Sequence, residues 1–230
     1  MCYPLELLVL LSCRALLPKN LMNIAIVTFE GFNEIDSFVA LNILNRVQSE
    51  DWTAEIVAPS SSVTSMNGVK IYSQQPFSFI KQADAVLFGS GTRTHAVVQD
   101  KQLMKSIEVD PYRQLIGSQC SGALILKHLG LVDNMPVCTD STTAPSLLEA
   151  GANVINQSFF SEGNIATAGG CLSSQYLAAW VIYRKLGADA VDKALASVAP
   201  IGEMQSLVEK TFTAIGCSAN NRRLSSTMPR

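Results

Sequence analysis

Short β-branched runs and helical patterns alternate along the chain. Asn23–Thr28 reads as a buried strand and Glu55–Ala58 as a second. Between them, Asp36–Gln48 reads as an amphipathic helix, with Phe38, Leu41, Ile43, Leu44 and Val47 close to one face. Val63–Met66 and Val69–Tyr72 flank Asn67-Gly68, which predicts a small hairpin. Ala85–Phe88 is a strand that runs into Gly89-Ser90-Gly91, and Lys101–Val109 is helical. Leu115–Ser118 is a strand leading straight into a helix at Ser121–Leu129. Ile165–Ala168 is a strand, followed by Gly169-Gly170 and helices at Leu172–Leu186 and Asp189–Ser197. Repeated strand-then-helix units predict an α/β fold: a doubly wound, mostly parallel sheet with helices on both faces. Such sheets bind ligands at the carboxyl ends of their strands. The loop after Thr28, the Gly89-Ser90-Gly91 loop and the turn at Cys120 are expected to gather there.

Composition narrows the class. The chain has 230 residues, 48% hydrophobic and 16% charged, which suits one well-buried domain. Its net charge is −2, with no basic stripe, so neither a nucleic-acid partner nor a nucleic-acid surface is indicated. The six cysteines are scattered without a CxxC pair, and there are two histidines, His95 and His128. That spacing argues against a zinc site and against a disulfide framework. Reduced thiols in a cytoplasmic protein are the expectation. Residues 1–21 are mostly apolar, but no Lys or Arg precedes the apolar run, as an export signal needs. The run is also short for a membrane span. Met22 begins a strand, so residues 1–21 are read as an extension outside the fold, 22–216 as the domain, and 217–230 as a disordered tail.

The chemistry centres on Leu115–Leu126, LIGSQCSGALIL. Cys120 sits where strand meets helix, with small residues two positions away on either side, Ser118 and Gly122. A nucleophile elbow needs small residues there, because strand and helix approach closely. Such a turn points the side chain into a cleft and sets it at the helix N-terminus, which favours thiolate over thiol. The structural alternative is an inert buried cysteine. Cys138, Cys171 and Cys217 are read as core or tail residues, with Cys171 second in interest after Gly169-Gly170. Backbone N–H groups of Gly89-Ser90-Gly91, with that of Ser121, are candidates for holding developing negative charge; the alternative is an ordinary turn. Asp36 opens the first helix and Glu34 precedes it. A carboxyl there can hydrogen-bond a sulfur or relay a proton, or simply cap the helix. His95 lies beyond the glycine loop and His128 about two turns along the elbow helix, so an acid partner suits Cys120 better than a histidine.

From Met22 to about Gly216 the sequence resembles the DJ-1/PfpI superfamily. The matching segments are MNIAIVTFEGFNEID, VLFGSG, SQCSGALIL and GNIATAGGCLSSQYLAAWVIYRKLG, in that order. In detail they look most like the isocyanide hydratase branch. The resemblance implies a flavodoxin-like, class I glutamine amidotransferase-like fold, a homodimer, a small-molecule substrate and no cofactor or metal. It implies that Cys120 attacks the terminal carbon of an isocyanide and that Asp36 relays protons. Backbone N–H groups of Gly91 and Ser121, beside Ser90, would steady the anion, and water would release an N-substituted formamide. Ser121 stands where the protease-like members have His. Asp140 stands in VCTDSTT, where relatives often carry a His, and is an accessory candidate with Glu34. Three other functions compete. One is a thiol-based oxidative-stress sensor that stores a sulfinate on Cys120, although Asp36 is shorter than the Glu of DJ-1-like sensors. The second is a glyoxalase or deglycase. The third is a ligand-sensing domain of AraC-type regulators, although no helix-turn-helix pattern is read after Gly216.

Overall fold

The computed structural model describes residues 22–216. The expectations for residues 1–21 and 217–230, including Cys217, lie outside the described residues.

A central sheet forms from β1 (Met22–Val27), β2 (Trp52–Val57), β5 (Ala85–Phe88), β6 (Leu115–Gln119), β9 (Phe159–Glu162) and β10 (Ile165–Ala168). Their spatial order is β2-β1-β5-β6-β10-β9. All neighbours are parallel except β9, which runs antiparallel to β10 at the edge. Chain order reverses between β1 and β5, the switch point at which sheets of this kind open a crevice. The expected hairpin is present as β3 (Ser62–Thr64) against β4 (Lys70–Tyr72). A short parallel pair, β7 (Pro136–Val137) and β8 (Asn153–Val154), lies outside the main sheet.

Alternation along β1 builds the two halves of the core. Ile24 and Ile26 pack on one face with α1 (Glu34–Leu44), α6 (Ser174–Leu186), α7 (Ala188–Ala196) and α8 (Met204–Ala214), through Leu44, Leu177, Trp180, Leu195 and Phe212. Ala25 and Val27 pack on the other with α2 (Thr94–Gln99), α3 (Lys101–Lys105), α4 (Ala123–His128) and α5 (Ala144–Glu149). Strands covered on both faces are mostly apolar, and β5 and β6 are buried at every position, Ser118 and Gln119 at the end of β6 included.

Several element boundaries differ from the pattern-based expectation. The first helix starts at Glu34, because Asn33 is its N-cap and accepts from the Ile35 N–H at 3.1 Å. The helix expected over Lys101–Val109 ends at Lys105. Ser106 is its C-cap and donates from Oγ to the Leu103 carbonyl at 2.6 Å. The elbow and the turn after β10 begin as 3-10 turns, Cys120–Gly122 and Cys171–Ser173, before their α-helices. Helices α2, α5 and α8 were not anticipated. α8 is polar over most of its surface; it buries Val208, Thr211 and Phe212, with Leu207 and Ala214 partly buried against the same core. Among the described residues, no helix is long and apolar enough to cross a membrane.

Candidate active site

Cys120 is the one non-glycine residue with positive φ among the described residues, at +47°. That left-handed geometry costs about 1–2 kcal/mol and persists where surrounding packing imposes it. The packing is visible at Gly122, where a Cβ would lie 2.6 Å from the Phe88 carbonyl oxygen and 2.9 Å from that of Gly89. The elbow therefore rests directly on the end of β5. Thr139 donates from Oγ1 to the Cys120 carbonyl at 2.9 Å, and Gln119 donates from Nε2 to the Gly170 carbonyl at 2.6 Å. The loops after β6, β7 and β10 are thus tied together.

The loop after β1 joins them from the other side. A Cβ on Gly91 would run into the Gly31 carbonyl and the Phe32 backbone, so only glycine fits where the two loops meet. The Asn33 N–H donates to the Ser90 carbonyl at 2.8 Å. This contact sets the first turn of α1 over the carboxyl edge of the sheet. There the carboxylate of Asp36 and the sulfurs of Cys120 and Cys171 converge, all within 4.8 Å of one another. The same three donors are the set through which these described residues could hold a metal ion.

Asp36 is 2% exposed, and Ser90 donates from Oγ to its Oδ2. Its Oδ1 is buried without a well-formed hydrogen bond. Burial holds the Asp36 carboxyl above the usual carboxylate range, against the Ser90 hydrogen bond and weaker contacts from the Cys171 and Cys120 thiols. Cys120 is 3% exposed. Burial, and after it the Asp36 charge, push its thiol far above the ordinary range; the 3.5 Å contact from Gln119 Nε2 opposes this only partly. Cys171 is half-buried, its thiol raised by burial and by Asp36, with Asn33 Nδ2 donating to its sulfur at 3.2 Å.

The expectation of a readily ionised, cleft-exposed sulfur is therefore corrected. The six-residue α4 behind a 3-10 turn supplies little dipole, and desolvation beside a carboxylate outweighs it.

The remaining candidates divide. Ser90 was expected to offer its backbone, but it acts through its side chain on Asp36. Ser121 Oγ lies 2.8 Å from Thr94 Oγ1 and accepts from the Gly91 N–H at 3.4 Å, so that N–H is only loosely held. Asp140 closes the turn just before α5, accepting from the N–H groups of Thr142 and Thr143 at 2.9 Å. It reaches Asp36 and Cys120 only as a distant negative charge that raises both. Glu34 faces the hairpin, where Ser65 Oγ and Asn67 Nδ2 donate to it and the Ser65 bond lowers its pKa. His95 is exposed on α2, and His128 bonds the Leu124 carbonyl at 2.8 Å. Cys138 is fully buried and its thiol is raised to about 11 by burial. Cys171 and Asn33 were underrated in the sequence; the pointer was Gly169-Gly170-Cys171 at the end of the strand that pairs with the elbow strand.

Fold and site together define a class: a doubly wound α/β protein with a cysteine elbow at the carboxyl edge of its sheet and an acid beside the sulfur. The chain belongs to the DJ-1/PfpI family, whose model matches residues 22–182. No curated protein sequence matches it. The structure is similar to Schizosaccharomyces pombe DJ-1 at 17% identity and a TM-score of 0.67, covering 78% of this chain and 100% of that one. It is similar to Drosophila melanogaster DJ-1beta at 15% identity and 0.66, covering 77% and 97%. An AraC family transcriptional regulator from Pseudomonas putida matches at 14% identity and 0.65, covering 77% and 100%. At these identities the likeness concerns the fold.

Proposed function

We propose that this protein is a cysteine-dependent small-molecule lyase of the isocyanide hydratase type. The observation that supports it is the pairing of Cys120 with a buried carboxyl, Asp36, in place of histidine. Burial raises both groups, so a proton passing from the Cys120 thiol to the Asp36 carboxylate only moves one buried negative charge a short way and creates no new one. The Cys120 sulfur bonds to the terminal carbon of the isocyanide. Asp36 delivers the thiol proton to that carbon, leaving a thioimidate. Water adds to the thioimidate carbon and gives one proton to nitrogen. The C–S bond then breaks, the remaining hydroxyl proton returns through Asp36 to sulfur, and an N-substituted formamide leaves. Ser90 orients Asp36 throughout, and the Gly91 N–H turns from Ser121 Oγ to the developing charge.

The same reading carries a cytoplasmic homodimer. Ile35, on α1, and Leu172, beside Cys171, are exposed apolar residues that a second copy would cover. The test is turnover of a panel of alkyl and aryl isocyanides. Formamide release by wild type, abolished in Cys120→Ala and crippled in Asp36→Asn, is expected. A wild type inert to the whole panel defeats the assignment.

A further inference from the structure

The role of Cys171 is left open by that chemistry. Its sulfur lies within 4.8 Å of the Cys120 sulfur, on the loop following the neighbouring strand. The register pairs Gln119 with Ala168, so Cys120 is one residue and Cys171 three residues beyond the last paired position. The bond from Gln119 Nε2 to the Gly170 carbonyl clamps the two turns at this separation. A disulfide needs the sulfurs at about 2.05 Å, so closure requires a side-chain rearrangement, which the half-buried position of Cys171 leaves room for. Asn33 donates to the Cys171 sulfur, a contact that holds the sulfur in place and partly offsets the burial and Asp36 charge that raise its thiol. Cys138 is fully buried and lies outside this cluster.

We propose that Cys171 is a resolving cysteine: a hydroperoxide oxidises Cys120, and the pair closes into a reversible intramolecular disulfide that shuts off the site. The Cys120 sulfur takes the terminal oxygen of the hydroperoxide, the O–O bond breaks, and the departing alkoxide or hydroxide carries off the thiol proton. Cys120 is then a sulfenic acid. The Cys171 sulfur attacks it, the S–O bond breaks, and hydroxide leaves as water with the Cys171 proton, passed by way of Asp36. Two thiols lose two electrons and two protons, and the peroxide is reduced to an alcohol, or water, plus water. Closure diverts Cys120 from the irreversible sulfinate, the opposite of a site built to store one.

The test uses the full chain treated with hydrogen peroxide, then digestion and mass spectrometry without reductant. The expected product is a Cys120–Cys171 linked peptide within a single chain, two hydrogens lighter than its parts and released by dithiothreitol. Cys171→Ser and Cys171→Ala should instead accumulate sulfinate on Cys120, severalfold above wild type. The readout is mass, so it stands apart from isocyanide turnover. The proposal is overturned by wild type that stays fully reduced, by linkage only between two chains, or by sulfinate forming equally fast with and without Cys171.

Discussion

Replacing Gly122 by alanine tests the packing that makes the elbow. The new Cβ would sit 2.6 Å from the Phe88 carbonyl oxygen and 2.9 Å from that of Gly89, where ordinary contact begins at 3.4 Å. Relief requires the elbow and the end of β5 to part by several tenths of an ångström. Both obstructing atoms are backbone, and β5 is held in register on both sides by β1 and β6. Overpacking of this kind costs ~1–3 kcal/mol, and rigid backbone on both sides favours the upper end. For a domain of this size, each kcal/mol lowers Tm by roughly 2–4 °C, so Gly122→Ala should melt roughly 5–12 °C below wild type. Gly68→Ala is the control: nothing lies within 4 Å of its Cβ, and only its φ of +86° is strained. That strain alone is worth about 1–2 kcal/mol. Calorimetry of the three proteins, with Cys120 alkylation rates at one pH, completes the comparison. A Gly122→Ala melt within about 1 °C of wild type refutes the packed-elbow argument.

Other consequences follow from the same geometry. Asp36 has its folded pKa raised, so the folded state holds its proton more tightly than the unfolded chain. Stability is therefore lost as pH rises from the ordinary Asp value through the raised one. Asp36→Asn should melt higher than wild type at neutral pH, and the difference should vanish in acid below about pH 3; a gain that persists in acid contradicts the burial argument. Phe212 is 2% exposed and meets Tyr183 edge-to-face at 6.2 Å. Phe212→Ala should cost ~3–5 kcal/mol in denaturant titration if α8 belongs to the core, and under 1 kcal/mol if it is only appended. Glu34→Ala should speed amide exchange across the Asn67-Gly68 turn, because Ser65 and Asn67 lose their acceptor; it should leave isocyanide turnover intact, and a collapse of turnover would place Glu34 in the site.

The parallel strands were legible because strands buried on both faces are short, mostly apolar runs, and Ala85–Phe88 and Ile165–Ala168 emerge with the expected bounds, whereas the antiparallel edge strand β9 was not anticipated. The elbow was legible from spacing, since Gly122 is small for a reason that local sequence carries. The ionisation of its sulfur was not. Helix polarity can be read locally, whereas the burial that outweighs it, and the Asp36 charge that adds to it, depend on how elements distant in the chain pack around the sulfur. Cys171 and Asn33 are 138 positions apart and meet only through the register of the sheet. Ser90 acts through its hydroxyl because α1 starts two residues earlier than its apolar stripe suggests, and this brings Asp36 within its reach. α8 escaped notice because three buried residues on a polar helix make too narrow a stripe.

The account depends on Asp36 and the Cys120 thiol sharing one electrostatic environment. The most direct measurement is the ultraviolet absorbance of the Cys120 thiolate against pH, taken as the difference between each protein and its Cys120→Ser counterpart, in wild type and in Asp36→Asn. The sulfur should ionise above the ordinary thiol range in wild type, and at distinctly lower pH once the carboxylate charge is gone. Two superimposable titrations would contradict the pairing, and with it the proton transfer on which the chemistry rests.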